Sequence, residues 1–286
     1  MTYKTYCSKS KDESLEKLSE IIANNFSTTE KIIRHCHKLG IKGYRLSSDL
    51  CPVLNHPEVN LKLEDLPNFK YIEYLINNVA RAIFDTNLRI AAHPSEYITL
   101  TSDDPNAIKN SITDLESHAD IFNRLNLQKS HFNPLNIHCR KDGDPQEISS
   151  KFMRNFDLLS DSVKSRLVIE NNDNASGVWS IQNLIKYFNE PYKIPITFDN
   201  LHHKMLPGDL TEEEAFINSY FTWDCEPIFH YSEGKNNTKA HADMAENLPP
   251  NYGGSVLWEV ELKNKDYAIL NILERHKNVD GEKFKV

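Results

Sequence analysis

The stretch PITFDNLHH at residues 195–203 holds the pattern that decides the fold of this chain. Its first half is short and mostly apolar, which is typical of a buried strand. Its second half turns polar, with Asp199, His202 and His203 following in close succession. Carboxylate and imidazole groups are common metal ligands, so their position directly after a buried strand predicts a polar site at the end of that strand.

The same kind of segment recurs along the chain, and a longer amphipathic segment follows each one. The predicted strands lie at 2–7, 43–48, 89–94, 134–139, 166–171, 195–200, 227–232 and 256–262. The predicted helices lie near 12–25, 28–39, 66–84, 105–126, 146–163, 178–189, 211–222 and 264–275. Strands that alternate with helices predict a parallel sheet. Eight such units in 286 residues predict an α/β fold of the (β/α)8 TIM-barrel type, with the active site at the C-terminal ends of the strands.

A doubly wound open sheet is the alternative architecture. That fold carries a glycine-rich phosphate loop after its first strand. Here the only adjacent glycines are Gly253 and Gly254, which precede the last predicted strand. The sequence therefore favours the barrel.

The composition indicates a soluble protein. The length allows one large domain or two ordinary ones, and with the barrel we expect a single domain at residues 1–286. Hydrophobic residues make up 39% of the chain and charged residues 26%, which are ordinary values for a globular protein. The five cysteines are odd in number and widely spaced, and the N-terminal stretch lacks an apolar signal region. We therefore expect reduced thiols and a cytoplasmic location without a membrane span. The net charge of −8 argues against polyanion binding by the whole surface, but it allows a local basic face.

Six consecutive predicted strands end with a histidine or a carboxylate. These residues are His93, His138, Glu170, Asp199 with His202 just beyond it, His230, and either Glu259 or Glu261. A barrel brings these ends to one mouth. Buried carboxylates are costly unless they are paired or coordinated, so the cluster predicts bound cations. Imidazole and carboxylate without thiolate suit Zn²⁺ or Mn²⁺, and the number of ligands predicts two or three ions that share a bridging carboxylate.

Several ordered motifs resemble the UV damage endonucleases, a family of (β/α)8 metalloenzymes related in fold to endonuclease IV and the xylose-isomerase-like barrels. In chain order the motifs are GYRLSSDLCP, HPE, AAHPSEYITLTS, LNIHC, LVIENND, ITFDNLHH, HYSEG, HADM and WEVELKNKDYAI. The resemblance runs from about residue 20 to about residue 270. It implies a DNA repair endonuclease that acts on double-stranded damaged DNA. Such an enzyme hydrolyses the phosphodiester immediately 5′ of a UV photoproduct or other lesion.

The resemblance also implies a cluster of three divalent ions. Mn²⁺ is the expected metal, with Zn²⁺ and Mg²⁺ as alternatives. The three sets of ligands would be His93, His138 and Glu170; then Glu170, Asp199, His230 and Glu261; and finally His202 and His241. Glu261 is preferred over Glu259 because ELKNK matches the Glu-x-Lys-x-Lys pattern of the family.

Further residues receive roles from the same resemblance. Glu170, Lys263 and His56 are expected to act in catalysis, and Arg45 and Asp243 are expected to support the ligands. Phosphate contacts need local positive charge, which loops beyond the predicted ligands supply. The residues expected to contact DNA or the lesion are Glu96, Tyr97, Arg140, Lys141, His203, Lys204, Lys235 and Lys239. For His203 the alternative is a role in supporting the ligands.

The chain departs from the family pattern in three places, one of which is the N-terminal Gly-Tyr motif, for which Tyr3 and Tyr6 are the candidates. Glu96–Tyr97 stands where the family has Gln followed by an aromatic residue, a pair that probes the damaged base pair. We therefore expect the damage specificity to differ. Ile228 stands where the family has a lysine carboxylated by CO₂. The third ion is therefore expected to be weaker or held by other ligands, with Asp243 as the candidate that compensates.

Other functions remain as alternatives. A metal-dependent sugar isomerase or epimerase on the same barrel would have little need of the basic loops. An endonuclease IV-like enzyme would act on abasic sites, and a metal-stabilised binding barrel would have no activity. No protein partner is expected, and the protein is expected to be a monomer.

Overall fold

The structure is a computed structural model that describes residues 1–95, 97–139, 142–276 and 286. Within these residues, seven short strands alternate with helices along the chain. The strands are β1 (Gly43–Leu46), β2 (Arg89–Ala92), β3 (Leu135–His138), β4 (Leu167–Glu170), β5 (Ile196–Thr197), β6 (Ile228–Tyr231) and β7 (Leu257–Val260). Each of them lies inside a strand that the sequence predicts.

The strands pair in parallel and in chain order. β1 to β5 form one sheet, in which the last residues of β3 and β4, His138 and Glu170, are register partners. β6 and β7 form a second parallel pair, in which His230 is the register partner of Glu259. The N–H of His230 donates to the carbonyl of Phe198 at 2.9 Å, and this bond joins β5 to β6.

Side chains close the barrel between β7 and β1. A Cβ atom at Gly43 would lie 2.8 Å from Leu257 Cδ2, so a larger residue where these two strands approach would require the Leu257 side chain to shift. Two residues further along β1, Arg45 forms ion pairs with Glu259 at 2.6 Å and with Glu261 at 2.5 Å. The strands therefore surround one lumen, which is the predicted TIM-barrel arrangement.

The predicted strand at 2–7 is wrong. These residues form a helical turn, α1 (Tyr3–Tyr6), in which the Thr2 hydroxyl accepts the N–H of Thr5 at 3.3 Å. No residue of α1 is fully buried, and only Tyr6 of this helix is half-buried against the core, so the stretch TYKTYC does not present the face that a buried strand needs. Within the described ranges the barrel has seven strands instead of the eight expected.

The helices cover the outside of the barrel. They are α2 (Lys11–Lys38), α3 (Phe69–Thr86), α4 (Pro105–Arg124), α5 (Pro145–Phe156), α6 (Asp161–Lys164), α7 (Ile181–Leu184), α8 (Glu190–Tyr192), α9 (Asn200–Met205), α10 (Glu212–Tyr220) and α11 (Lys265–His276). Short 3₁₀ turns lie at Leu63–Asp65 and Lys235–Asn237, and a π-helical stretch lies at Ile185–Asn189.

Two predicted helices, 12–25 and 28–39, are a single helix. Ser27 to Thr29 resemble a helix start in sequence, but Thr29 is buried inside α2 and donates to the carbonyl of Asn25 at 2.9 Å. Its hydroxyl is satisfied within the helix and does not cap a new one. Conversely, the single predicted helix 146–163 is two helices, α5 and α6. Ser160 caps α6 by accepting the N–H of Val163 at 3.3 Å.

The two ends of the barrel differ in chemistry. At the N-terminal end, the buried guanidinium of Arg89 donates to the carbonyls of Phe132 and Glu226, and buried Arg166 donates to the carbonyl of Gln128. These bonds tie the starts of β2 and β4 to neighbouring segments. Titratable side chains collect at the other end, where the site lies. None of the helices in the described part of the chain is long and apolar enough to cross a membrane.

Candidate metal centre

The strand ends bring histidines and carboxylates to one place. The contributing positions are His93 after β2, His138 at the end of β3, Glu170 at the end of β4, Asp199 after β5, His230 in β6 and Glu261 after β7. A cavity of about 480 Å³ opens at this end, and its lining includes Arg45, His202 and His241. Parallel strands end on the same side, so side chains far apart in sequence meet there.

Glu170 lies at the centre of the cluster and is almost completely buried. Its Oε2 atom lies 3.3 Å from His93 Nε2, 3.8 Å from His138 Nε2 and 3.1 Å from His230 Nδ1. Its Oε1 atom lies 3.1 Å from His202 Nδ1. One carboxylate therefore faces four imidazoles that come from four different strand ends.

Asp199 serves both a helix and the cluster. Its Oδ1 atom accepts the N–H of His202 at 2.8 Å, which makes Asp199 the N-cap of α9. Its Oδ2 atom is buried and lacks a hydrogen-bond partner within the described residues. The residues after Asp199 form a helix that the sequence analysis did not predict, and this helix presents His202 to the cluster.

Three of the histidines have an oxygen partner for Nδ1. The Nδ1 atom of His93 lies 3.1 Å from the carbonyl of Pro94, and that of His138 lies 3.1 Å from Asn172 Oδ1. The Nδ1 atom of His202 lies 2.9 Å from the carbonyl of Asn171. A carbonyl oxygen only accepts, so Nδ1 carries the proton in His93 and His202. Metal-binding histidines usually have such a partner, which fixes the tautomer and leaves the other nitrogen for the ion. In His93 and His138 that nitrogen is Nε2, which faces Glu170, whereas in His202 Nδ1 itself also lies 3.1 Å from Glu170 Oε1.

Charges shift the pKa values of the buried groups. Burial opposes ionisation of Glu170, yet the imidazoles of His230 and His138 hold the pKa of its carboxyl well below the usual range. Burial would lower the pKa of His202, but Asp199 and Glu170 raise it to about 10. Burial would also lower the pKa of His230, but the neighbouring carboxylates, Glu170 first among them, raise it to about 10. Without cations, protons on the imidazoles thus balance the buried carboxylates.

Two other acids of the cluster shift in opposite directions. Burial raises the pKa of Asp199 to about 6, with further contributions from Glu170 and Glu261. For Glu261, the neighbouring guanidinium of Arg45 outweighs burial and lowers the pKa to about 2. For Asp199, burial outweighs the opposing charges of His202 and His230, whereas for Glu261 the charge of Arg45 outweighs burial.

The arrangement fits divalent cations. Three groups of side chains each offer ligand atoms within 4.8 Å of one another: His93, His138 and Glu170; Glu170, Asp199 and His202; and Asp199, His230 and Glu261. Glu170 and Asp199 are each shared by two groups. The buried Asp199 Oδ2 and His230 Nδ1 lack hydrogen-bond partners of good geometry within the described residues. Buried polar atoms without partners are costly, and a coordinated cation would satisfy both.

His241 lies at the rim of the cluster. Its Nδ1 atom is 3.7 Å from Glu261 Oε2. A loop after β6 carries it, and Gly234 pairs with His241 across the base of this loop. The sequence predicted a third site from His202 and His241, whereas the structure groups His202 with Glu170 and Asp199.

Several predicted site residues lie away from the cluster. His203 was expected either to support the ligands or to face DNA; it is 3% exposed, and its ring packs against Phe198, so the DNA-facing alternative is wrong. His56 does not line the cavity in the described structure; its ring stacks on Tyr3 with centroids 3.9 Å apart. Asp243, expected to support the ligands, is exposed and pairs with Lys235 at 3.5 Å.

The remaining predicted DNA contacts are exposed or outside the described residues. Tyr97 is 84% exposed, and Lys204 lies on the outer side of α9. Lys239 pairs with Asp173 at 3.2 Å. Lys263 is exposed, and its backbone N–H donates to the carbonyl of Ala242 at 3.1 Å. The predicted contacts Glu96, Arg140 and Lys141 fall outside the residues that the structure describes.

Three asparagines of the site were missed by the sequence analysis. The amide of Asn136 donates to Glu170 Oε2, and Asn171 exchanges hydrogen bonds with the backbone of Asp199 at 2.8 and 3.1 Å. Asn200 does the same with the backbone of Ser232 at 3.0 and 3.1 Å. Asn136 lies two residues before His138 on the same face of β3, so strand alternation could have identified it.

The sequence of this chain matches the UV-endonuclease UvdE family over residues 1–284. It is 29% identical over 300 residues to the UV-damage endonuclease of Schizosaccharomyces pombe, an alignment that covers 96% of this chain and 48% of that protein. The chain thus spans about half the length of that relative. It is 27% identical over 285 residues to the UV DNA damage endonuclease of Nostoc sp., covering 95% of this chain and 84% of that protein.

A solved structure has the same fold. The crystal structure of SacUVDE superposes with a TM-score of 0.82 at 25% sequence identity, covering 93% of this chain and 90% of that chain. The superposition extends over nearly the whole barrel, so the similarity is not confined to the strand ends.

Proposed function

The chain belongs to the UV-endonuclease UvdE family, and on that premise we propose that it is a metal-dependent DNA repair endonuclease. Its substrate would be double-stranded DNA that contains a UV photoproduct or another lesion. The cut would fall on the phosphodiester immediately 5′ of the lesion.

The observation that carries this proposal is the position of Glu170 among four histidines. Its two oxygens face His93, His138, His202 and His230 at 3.1 to 3.8 Å. A carboxylate shared between ligand groups holds cations close together. Closely spaced cations are suited to phosphoryl displacement, because they neutralise charge on both the attacking and the leaving oxygen.

The residues that would hold the cations are those of the three ligand groups, with His241 at the rim. We propose two or three divalent ions, Mn²⁺ in the first place, with Zn²⁺ or Mg²⁺ as alternatives. Such ions would supply Lewis acidity, which lowers the pKa of the attacking water and neutralises negative charge on the phosphate.

The side chains of the protein would position the DNA and the cluster. Exposed Lys204 on α9, together with exposed Lys239 and Lys263 on loops, lies beyond the ligands, and these lysines would contact backbone phosphates, which carry no sequence information. Tyr97 is 84% exposed and would stack against a base at the lesion. Arg45 would hold Glu261 in its ionised form, because their 2.5 Å ion pair lowers the pKa of that carboxyl.

The test compares nicking of a UV-irradiated supercoiled plasmid with nicking of the same plasmid left intact, in the presence of Mn²⁺. The irradiated plasmid should be nicked and the intact one should not. Glu170→Gln should abolish nicking, because the amide keeps the size of the side chain but removes the bridging charge. Glu147→Gln, at an exposed position on α5, is the matched control and should retain full activity.

The other outcomes point to other functions. Nicking of a plasmid with abasic sites alone would indicate an endonuclease IV-like role. Turnover of a ketose without nicking of any plasmid would indicate a sugar isomerase or epimerase. Full nicking activity in metal-loaded Glu170→Gln would contradict the proposed role of this carboxylate.

We also propose that residues 1–286 form one domain that acts as a monomer in the cytoplasm. The continuous cluster of buried apolar side chains that runs from Leu18 to Ile272 supports a single domain. A single cooperative unfolding transition and the mass in solution would test the first two statements.

A further inference from the structure

Glu259 is a carboxylate of the strand ends that the three ligand groups do not include. It lies in β7 as the register partner of His230 in β6. Its side chain is 14% exposed and faces the lumen beside the cluster. It lies two residues before Glu261, so both carboxylates point to the same side of the strand.

His230 has a carboxylate on each edge of its ring. Its Nδ1 atom lies 3.1 Å from Glu170 Oε2 and 3.6 Å from Glu261 Oε1. Its Nε2 atom lies 3.7 Å from Glu259 Oε1. The Nδ1 edge faces the ligand group that includes Asp199, and the Nε2 edge faces away from it, toward β7.

We propose that Glu259 is a positioning residue that holds the proton of His230 on Nε2 and so turns Nδ1 toward the metal ion. The three other histidines of the cluster, His93, His138 and His202, each have an oxygen partner for one ring nitrogen. Glu259 Oε1 is buried and lacks a hydrogen-bond partner of good geometry among the described residues, and at 3.7 Å from His230 Nε2 it is placed to act as this partner for the fourth histidine. In His230 the held atom is Nε2, which agrees with the position of Nδ1 beside Glu170.

Arg45 supplies the charge that keeps Glu259 in place. Its Nη1 atom lies 2.6 Å from Glu259 Oε1 and 2.5 Å from Glu261 Oε1, so one guanidinium connects the two carboxylates. An ionised acceptor binds an imidazole N–H more strongly than a neutral one. Because β1 carries Arg45, the closure of the barrel between β7 and β1 becomes part of the metal site.

A purely structural role for Glu259, as a partner of Arg45 alone, predicts a different result from a double mutant. Arg45 also pairs with Glu261, so the double variant is compared with Arg45→Met alone. If Glu259 only balances the guanidinium, the double variant should bind metal as well as Arg45→Met does. If Glu259 acts on His230, the double variant should bind metal more weakly than Arg45→Met does. Double-mutant cycles separate these two contributions.

The experiment measures Zn²⁺ binding to the full chain by competition with a chromophoric chelator. The variants are Glu259→Gln, Glu259→Met, Arg45→Met and the double variant Glu259→Met with Arg45→Met. Exposed Glu274→Gln on α11 is the control. We expect Glu259→Met to weaken one class of Zn²⁺ sites by about 10- to 100-fold, the usual effect of removing an outer partner of a ligand. The site of His93 and His138 should keep its affinity, and the double variant should bind more weakly than Arg45→Met does.

Glu259→Gln should lose less affinity than Glu259→Met, because its amide oxygen still accepts a hydrogen bond. Nitrogen-15 spectra of the histidine rings in the Zn²⁺-loaded protein should show His230 protonated on Nε2. Wild-type affinity in Glu259→Met, a double variant that binds Zn²⁺ as well as Arg45→Met does, or a proton on Nδ1 would each overturn the proposal.

The inference rests on the proposed metal site, and the two can fail separately. A wild-type protein that binds Zn²⁺ with the expected His230 tautomer but nicks no DNA would contradict the proposed function alone. A wild-type protein that nicks irradiated DNA but shows none of the Glu259 effects would contradict the inference alone.

Discussion

At the scale of single residues, Asp199 shows how one carboxylate can belong to a helix and to a site at once. An aspartate after a strand is, taken alone, more often a helix cap than a ligand. Here both interpretations hold, because Oδ1 caps α9 while Oδ2 is buried and faces the cluster. The cap fixes the rotamer of the side chain, and the fixed rotamer directs the second oxygen.

The two roles of Asp199 can be separated by mutation. Asp199→Asn keeps an oxygen for the cap but loses the charge, so we expect a folded protein with little nicking activity and weaker metal binding. Asp199→Ala loses the cap as well and should lower the free energy of unfolding by about 1 kcal/mol relative to Asp199→Asn. Urea unfolding of the metal-free proteins measures this difference. Equal stability of the two variants would contradict the capping role.

His202 and His203 are neighbours in sequence but lie in different environments. Consecutive residues on a helix point about 100° apart, so α9 directs His202 to Glu170 and His203 into the core. Burial lowers the pKa of His203, which keeps its ring neutral beside Phe198. The sequence predicted His202 as a ligand, but it did not show that the neighbouring His203 turns into the core.

At the scale of elements, asparagine side chains continue the sheet where the strands stop. β5 has only two residues, Ile196–Thr197. Beyond it, Asn171 and Asn200 pair with the backbones of Asp199 and Ser232 in the way that neighbouring strands would. These bonds hold the ends of β4, β5 and β6 together at the level of the ligands.

Asn200→Ala should therefore destabilise the protein. The substitution leaves the buried N–H and carbonyl of Ser232 without partners, which costs about 2 kcal/mol of unfolding free energy. Urea unfolding would measure this loss. The matched control is Asn106→Ala, at an exposed position on α4, which should change stability by less than about 0.5 kcal/mol. A loss no larger than that of the control would show that these bonds do not stabilise the fold.

The loop after β6 is held by one glutamate and carries both His241 and Lys239. Glu233 accepts the backbone N–H groups of Glu246 and Asn247 at 2.9 and 2.8 Å, which closes the loop on itself. Lys239 forms an ion pair at 3.2 Å with Asp173, which lies in the loop after β4. In this arrangement the ion pair with Asp173 competes with DNA phosphates for Lys239.

Asp173→Asn should raise the affinity for lesion-containing duplex DNA. The change frees Lys239 from an exposed ion pair of up to about 1 kcal/mol, so we expect a gain of about two- to fivefold. Lys239→Gln should weaken binding and reduce the slope of log affinity against log salt by about 0.9. Fluorescence anisotropy in a Glu170→Gln background measures both, because the duplex stays intact. Weaker DNA binding by Asp173→Asn would contradict this interpretation.

At the scale of the whole molecule, acidic residues at the mouth of the barrel contribute to a net charge of −8. Glu170, Asp199, Glu259 and Glu261 lie close together there, and Arg45 is the guanidinium beside them. In the metal-free protein, protons on His202 and His230 offset part of this charge, because their pKa values are raised to about 10. Cations that replace these protons should stabilise the fold.

Removal of metal should therefore lower the melting temperature. Ligand present at 100 times its Kd stabilises the folded state by about 2.7 kcal/mol. For a chain of this size, that corresponds to roughly 5–10 °C. Thermal unfolding with EDTA and with added Mn²⁺ measures the shift. In Glu170→Gln the shift should fall to less than about half, and an unchanged melting temperature of the wild type in EDTA would exclude a tightly bound metal.

The positions of the strand ends and the site residues at those ends could be predicted from the sequence, because both are local properties. An apolar run of fixed length marks a buried strand, and the residue after it marks the mouth of the barrel; His93, Glu170 and Asp199 were found in this way. The strand predicted from the weak alternation at 2–7 was wrong, because a short local pattern does not show how the segment packs against the core.

The tertiary structure alone decided how these residues divide their contacts. That Glu170 lies between four imidazoles, that His203 turns into the core, and that Glu259 faces the far edge of His230 all depend on distances between elements. Such distances arise from the packing of strands and helices that are far apart in the chain. They leave no mark on the spacing of residues along it.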